Sequence, residues 1–141
     1  MSAADLATVP RDIDRLRAAV GWTGPERVDV VECRHLSSYL AAIGAPPGDV
    51  APPTFTACFL DEPPPLPAAA GYGVGWLNGG DTFACHRDLR VGDQVRSSTR
   101  LVQVVEKNGR SGPMAVLTFV TEFVDPDGQL RVRHTGTRIR R

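Results

Sequence analysis

One stretch of the chain combines the residue types that acid–base chemistry uses. Asn78, Gly79, Gly80 and Asp81 are consecutive, and His86 follows shortly after them. A carboxylate and an imidazole can transfer protons near neutral pH, and a glycine N–H can stabilise negative charge on a carbonyl oxygen. Asp81 and His86 are therefore candidate catalytic residues, and Asn78, Gly79 and Gly80 are candidate substrate contacts. A β-turn followed by a structural histidine at a strand end explains the same residues without a ligand.

Basic residues form a second group. Lys107 and Arg110 lie in a predicted hairpin turn, and residues 129–141 contain five arginines and no acid. The five are Arg131, Arg133, Arg138, Arg140 and Arg141. Such cations can bind phosphates or an acidic protein surface, but charged residues also protect a solvated strand edge from aggregation. Both interpretations stay open, and His134 within this stretch is interpreted as a solvated side chain.

The elements that must position these residues begin with helices. Residues 32–43 form the clearest helix, because leucine and isoleucine recur on one face and Gly44 follows as a C-terminal cap. A shorter helix is predicted at residues 12–20 and a short strand at residues 26–31. The proline-rich residues 61–70 are predicted to form a loop.

Three long strands make up the predicted sheet. They are residues 94–106, 113–124 and 130–139, with hairpin turns between them at residues 107–110 and 125–128. Both faces of residues 113–124 are apolar, which predicts a central strand and a surface for dimerisation or a partner. Helical material followed by a long antiparallel sheet predicts an α+β fold in which the sheet wraps around a helix.

Finer features of the sheet also follow from the pattern. Residues 78–81 and 90–93 are predicted to be turns, because they combine glycine with Asn or Asp. Alternation along residues 94–106 places Val105 with the apolar side chains of one face and Glu106 with the polar side chains of the other.

Composition places the chain among ordinary globular proteins. Its 141 residues fit one domain, 42% are hydrophobic, and 16 basic residues balance 16 acidic ones. That balance argues against a nucleic-acid binder, and no apolar run is long enough for a membrane helix. The N-terminus shows no secretory leader. Cys33, Cys58 and Cys85 are widely spaced, which argues against disulfides or a metal site and predicts buried thiols in a reducing cytoplasm.

The order of several motifs resembles one known family. Gly44 after the helix is followed by Ala-Pro-Pro-Thr-Phe at 51–55 and Leu-Asn-Gly-Gly at 77–80. His-Arg-Asp-Leu-Arg-Val-Gly-Asp at 86–93 and Glu-Lys-Asn-Gly-Arg-Ser-Gly-Pro at 106–113 come next. This order resembles the N-terminal dehydratase-like domain of the MaoC superfamily over residues 10–140. The resemblance implies a single hot-dog domain over residues 1–141, with an antiparallel β-sheet wrapped around one central α-helix.

The resemblance also implies a chemistry. Members act on acyl thioesters of coenzyme A or acyl carrier protein, in fatty acid or polyketide metabolism, and need no cofactor. The usual reaction is reversible dehydration of a 3-hydroxyacyl thioester to a trans-2-enoyl thioester, which requires an acid–base group and donors to the thioester carbonyl. Asn78, Gly79, Gly80, Lys107 and Arg110 are then the residues expected to bind the substrate.

The sequence departs from catalytic members at the acid–base pair. They carry Gly-Asp-x-Asn-Pro-x-His after the helix, whereas Gly44 is followed by Ala-Pro-Pro-Gly-Asp at 45–49 and by no histidine before His86. In the family, a half that lacks the pair packs against a catalytic half. The chain is therefore expected to be a hydro-lyase subunit, an (R)-specific enoyl-thioester hydratase or 3-hydroxyacyl-thioester dehydratase component. It would act with a second hot-dog subunit, as a homodimer or heterodimer.

Two alternatives stay open. The chain could be a non-catalytic hot-dog module that binds an acyl thioester or only scaffolds its partner. It could also be a specialised biosynthetic enzyme that uses His86 and Asp81 as its own acid and base. Turnover by the isolated chain separates the second alternative from the first.

Overall fold

The chain is described by a computed structural model that covers residues 9–141. Residues 1–8, on which the prediction of no secretory leader depends, lie outside the described residues. In chain order, the elements are α1 (Ile13–Ala18), β1 (Arg27–Val30), α2 (Cys33–Ala42), β2 (Val50–Ala51), 3-10 helices Pro53–Phe59 and Pro67–Gly71, β3 (Trp76–Cys85), β4 (Leu89–Arg90), β5 (Gln94–Gly109), β6 (Gly112–Val124) and β7 (Leu130–Arg140). None of the helices in this part of the chain has the length and apolarity needed to cross a membrane.

Both predicted helices are present, and local hydrogen bonds set their ends. α1 begins after Asp12, whose carboxylate accepts the Arg15 N–H at 3.0 Å, as an N-cap side chain does. α2 buries Leu36 and Leu40 on one face. It ends before Gly44, which has a φ of 71° that glycine adopts without steric cost.

Five antiparallel strands form the main sheet, in the order β1-β5-β6-β7-β3 with β6 in the centre. β5, β6 and β7 are consecutive neighbours, which confirms the predicted meander. β2 and β4 pair separately as a two-stranded sheet. β1 and β3 are the edges of the main sheet, and β3 is much the longer of the two.

The inner face of the sheet carries the core, which is divided into two hydrophobic clusters. The first cluster lies under α2 and the first 3-10 helix, where Leu36, Phe55 and Phe59 pack with Phe123 and Val132 of the sheet. The aromatic rings meet edge to face, with 5.5 Å between the centroids of Phe55 and Phe59.

The second cluster lies under α1 and the proline-rich loop. Leu16, Leu66 and Tyr72 pack there with Leu117 and Phe119 of β6. One helix cannot cover the whole sheet, since the ten residues of α2 span about 15 Å whereas the 13 residues of β6 extend over about 44 Å. The loop therefore covers the end of the sheet that α2 leaves open.

The predicted turn at residues 78–81 is wrong, because β3 runs through these residues without reversing. Pairing with β7 keeps the backbone extended, and one extra residue forms a β-bulge between Asn78 and Gly80. Gly80 has a φ of 137°, which allows the strand to take up the extra residue.

A second bulge lies near Val102 in β5 and changes the predicted faces of the strand. After it, Val105 pairs with Val116 on the outer face, and Glu106 pairs with the buried Ala115 on the inner face. The prediction that Val105 shares the face of the buried Val95 and Leu101, with Glu106 on the opposite face, is therefore wrong. The following hairpin loop is Arg110 and Ser111, because Gly109 pairs with Gly112.

The three cysteines are free and exposed, so the prediction that they are buried is wrong. Cys33 is the first residue of α2, Cys58 lies in the first 3-10 helix, and Cys85 ends the edge strand β3. Each is at the end or on the outer side of its element, where the core does not reach. Small apolar residues need not be buried when the surrounding element faces solvent.

Truncation of Phe119 to alanine should lower the free energy of unfolding by about 3–5 kcal/mol, because it leaves a cavity in the second cluster. The Phe119 ring is 2% exposed and lies between Trp22 and Trp76, with centroid distances of 6.4 Å and 6.5 Å. Denaturant unfolding measures the loss, with Val120→Ala on the outer face as the control. Equal losses in the two variants would contradict the inner-face position of Phe119.

Candidate functional site

A cluster of polar side chains lies on the inner face of the sheet, around the carboxylate of Asp81. Asp81 Oδ1 lies 2.6 Å from His134 Nε2 and accepts a hydrogen bond from Arg138 Nη2 at 2.8 Å. Asp81 Oδ2 accepts a hydrogen bond from Asn78 Nδ2 at 2.9 Å. We call Asp81, Asn78, His134, Arg138 and Glu62 the polar centre.

Arg138 connects this centre to the proline-rich loop. Its guanidinium bonds both carboxylate oxygens of Glu62, through Nη2 and through Nε, the latter at 3.2 Å. Nη1 also donates to the side-chain oxygen of Asn78 at 3.2 Å and to the carbonyl of Gly80 at 3.3 Å. Arg138 is 5% exposed, so these contacts are made largely out of water. The buried cation thus ties the loop, the β3 bulge and β7 together.

The sequence of β7 explains why the centre forms. Alternation puts Val132, His134, Gly136 and Arg138 on the inner face. Gly136 makes room between the two polar side chains, since a Cβ there would lie 2.7 Å from His134 Cε1 and 3.0 Å from Arg138 Nη1. The register places Gly136 opposite Asp81, so both side chains reach one carboxylate.

The hydrogen bonds fix the charge of Asp81. Burial alone would raise its pKa, but hydrogen bonds from Asn78, His134 and Arg138 and the positive charge of Arg138 outweigh burial and lower the pKa to about 2. Arg138 is desolvated, which would lower its pKa, but its bonds to Glu62 and Asp81 raise the pKa above the ordinary value. The centre therefore places one buried cation between the carboxyl groups of Asp81 and Glu62.

One of the two ring nitrogens of His134 makes no hydrogen bond within the polar centre. Nε2 bonds Asp81, whereas Nδ1 is buried and has no hydrogen-bond partner in the described part of the chain. A carboxylate on Nε2 favours the tautomer with its hydrogen there, which leaves the lone pair of Nδ1 available as an acceptor. The residue is 3% exposed, so the prediction that His134 is solvated is wrong.

The candidate catalytic residues His86 and Asp81 are not brought together. β3 ends at Cys85, and the backbone N–H of His86 bonds the Arg131 carbonyl at 2.8 Å. Five residues of extended chain place the Cα atoms of Asp81 and His86 roughly 16 Å apart. The structure instead pairs Asp81 with His134, which is distant in sequence.

The candidate substrate contacts divide between the polar centre and the hairpin. Asn78 belongs to the centre, and its side-chain oxygen accepts the Gly80 N–H at 2.7 Å, so this N–H is engaged within the bulge. Gly79 packs on Thr137, where a Cβ would lie 2.9 Å from Cγ2. Lys107 is exposed on β5, and Arg110 lines a cavity at the β5–β6 turn.

Sequence reasoning missed Glu62, His134 and Arg138 as members of one cluster. Alternation along β7 does put His134 and Arg138 on a common face, and that signal is readable before the structure. The contribution of Glu62 is not, because it depends on how the loop folds back over the sheet.

Replacement of Asp81 by asparagine should cost about 2 kcal/mol of unfolding free energy at pH 7, following from a folded pKa of about 2 against an ordinary 3.8. A lowered pKa stabilises the fold above the unfolded pKa, and this contribution disappears as the pH falls through 3.8 towards 2. The difference between wild type and Asp81→Asn should therefore shrink from pH 6 to pH 2.5 in denaturant titrations. Asp88→Asn is the control, because the Asp88 side chain is 63% exposed. A difference that is independent of pH would contradict the lowered pKa.

Solved structures show which fold this is. A chain of the ChsH1-ChsH2 complex from Mycobacterium tuberculosis is similar over 99% of this chain and 92% of that chain, with a TM-score of 0.70 and 18% identity. A chain of the HadBC (3R-hydroxyacyl-ACP dehydratase) complex from the same organism has a TM-score of 0.69 and 17% identity, over 86% of this chain and 96% of that chain. The MaoC-like dehydratase from Rhodospirillum rubrum has a TM-score of 0.60 and 18% identity, over 87% of this chain and 94% of that chain. These similarities confirm the predicted α+β hot-dog fold.

Sequence comparison supplies the family. No curated protein sequence matches the chain. The family model described as "FAS1-like, dehydratase domain region" matches residues 47–134, which is more than half of the chain. The matched residues include Glu62, Asn78, Asp81 and His134 of the polar centre. The chain therefore belongs to the FAS1-like dehydratase family, as the resemblance of its motifs to MaoC-type dehydratases predicts.

Proposed function

We propose that the chain is one subunit of an (R)-specific enoyl-thioester hydratase or 3-hydroxyacyl-thioester dehydratase, and that a second hot-dog subunit supplies the acid–base pair. The segment after α2 carries this proposal. Residues 44–51 contain no histidine. Their one carboxylate, Asp49, has a side chain that is 73% exposed and lies 3.5 Å from Arg90. A solvated surface carboxylate of this kind is poorly suited to move a substrate proton.

The polar centre supports a structural role for this half of the enzyme. With a pKa of about 2, Asp81 is a weak base at neutral pH, and its hydrogen bonds are directed at protein groups. Arg138 is likewise occupied by Glu62 and Asp81. Fixed charges with satisfied partners hold the inner face in one arrangement but do not transfer protons.

Relatives support a two-subunit enzyme acting on thioesters. HadBC and ChsH1-ChsH2 are both complexes, and HadBC is described as a 3R-hydroxyacyl-ACP dehydratase. By analogy, the substrate of this chain is an acyl thioester of coenzyme A or acyl carrier protein. The analogy rests on family and fold, so turnover has to test it.

Strand β3 offers an edge on which a second subunit can pair. It is ten residues long, and most of its residues are exposed. Its side away from β7 has no partner strand in the described part of the chain. A long unpaired edge presents rows of N–H and C=O groups that readily pair with another strand. The opposite edge, β1, has only four residues, so we place the interface along β3.

A second candidate function is acid–base chemistry by this chain alone. The observation in its favour is Nδ1 of His134, which is buried and has no hydrogen-bond partner among residues 9–141. A carboxylate on Nε2 with a free acceptor at Nδ1 is the arrangement of a general base. Because Nδ1 is buried, substrate could reach it only if a covering group moved.

Hydration of trans-2-enoyl coenzyme A thioesters should occur only when the chain is combined with a hot-dog subunit that carries the Gly-Asp-x-Asn-Pro-x-His pattern. The isolated chain should give no loss of conjugated-thioester absorbance above the uncatalysed rate. Within the active complex, His134→Gln in this chain should change kcat less than about tenfold, since the partner supplies the base.

Turnover by the isolated chain that His134→Gln abolishes would instead establish the second candidate function. Binding of thioester without turnover, with a catalytic partner present, would leave a binding or scaffolding module and would reject the hydratase proposal.

Lysines placed on β3 should weaken subunit association about tenfold or more, because like charges and bulky side chains then meet at the paired edge. Thr82→Lys with Ala84→Lys changes two exposed residues on the outer side of β3. The matched control is Val28→Lys with Val30→Lys on β1, where both valines are exposed. Light scattering measures the mass of each complex. If the control variant associates more weakly and the β3 variant associates as strongly as wild type, the interface lies elsewhere.

A further inference from the structure

A cavity of about 470 Å³ lies at the end of the sheet farthest from α2. Arg11, the residues before β3, the β5–β6 turn and Arg141 meet there. Three arginines from these separate segments line it: Arg11, Arg110 and Arg141. Among residues 9–141, no acidic side chain lines the cavity. Its volume is within the range of small-molecule sites.

Backbone contacts hold the arginines in place. The carbonyl oxygen of Arg141 accepts the N–H groups of Val74 and Gly75, both at 2.8 Å. Gly73 allows this close approach, since a Cβ there would lie 2.2 Å from the Arg141 carbonyl carbon. Arg11 forms a β-bridge with Tyr72, and Arg110 lies in the two-residue turn between paired strands.

Two of the three guanidinium groups have no ionic partner in the described part of the chain. Arg110 and Arg141 form no ion pair with any residue from 9 to 141. Guanidinium groups that converge on one cavity attract anions, and they bind phosphate oxygens in a bidentate manner. The cavity also has apolar walls, provided by Val74, Pro113 and Met114.

From these observations we propose that the cavity binds the phosphate-bearing part of an organic ligand. The arginines contact the phosphate oxygens, and the apolar wall contacts the adjoining carbon chain. If the chain acts on thioesters as proposed above, the phosphate belongs to their pantetheine carrier. It is then either that of free coenzyme A or that of the prosthetic group on a carrier protein.

Titration of the full chain with coenzyme A, pantetheine and inorganic pyrophosphate tests the site. Calorimetry should detect coenzyme A binding, pyrophosphate should compete with it, and pantetheine, which lacks phosphate, should bind about tenfold more weakly or not at all. A carrier protein with and without its phosphopantetheine group distinguishes the two sources. Stronger binding of the carrier than of coenzyme A assigns the site to the carrier.

Arg110→Glu should weaken coenzyme A binding about tenfold or more, whereas Arg110→Lys should lose less because it keeps the charge. Arg34→Glu is the matched control, since it changes an exposed arginine on α2 by the same charge. Equal weakening by both glutamate variants would overturn the proposal, because it would reflect net charge alone. Pantetheine binding as tight as coenzyme A would overturn it as well.

These measurements need no turnover. If the chain does not bind coenzyme A or pyrophosphate, the proposal that the cavity binds phosphate is rejected and the hydratase proposal is unaffected. Absence of hydration with a catalytic partner would reject the hydratase proposal, while phosphate binding by the isolated chain would stand on its own.

Discussion

Burial of the Arg138 guanidinium is the constraint on which the inner face depends. An unpaired charge at 5% exposure would cost several kcal/mol, and two carboxylates from different elements offset that cost. Asp81 comes from β3 and Glu62 from the proline-rich loop. Nη1 of Arg138 also donates to the side-chain oxygen of Asn78 and to the carbonyl of Gly80 at the β3 bulge. The loop, the edge strand and the central sheet are therefore arranged around one cation.

The polar centre also separates the two hydrophobic clusters of the core. On one side, α2 packs on Phe123 and Val132, and on the other the loop packs on Leu117 and Phe119. A hydrophobic core can slide or repack at small cost, whereas a hydrogen-bonded network around a buried cation has few arrangements that keep the cation paired. The network thus favours a single position of the proline-rich loop relative to the sheet. Apart from His134 Nδ1, its groups bond one another, which agrees with the proposal that a second subunit supplies the chemistry.

Sequence patterns predicted the elements better than the site. α2 and the β5–β7 meander follow from periodicity and turn chemistry, because these signals are local. The bulges at Gly79 and Val102 are not local, since each depends on the register of the neighbouring strand. One extra residue was enough to turn Glu106 inwards. His134 was misplaced because an arginine-rich strand looks solvated until its partners, a carboxylate across the sheet and another on a distant loop, are known.

The exposed thiols have a practical consequence. Thiolates, not thiols, react with alkylating labels. Partial desolvation by neighbouring groups, together with the nearby charge of Asp29, raises the pKa of the exposed Cys58 to about 11. A raised pKa lowers the thiolate fraction of Cys58 at neutral pH and slows its reaction with such labels. Cys85 stands at the end of β3, while Cys33 begins α2. The natural chain thus carries its own attachment points for fluorescent or spin probes, and the proposed association along β3 can be tested without engineered residues.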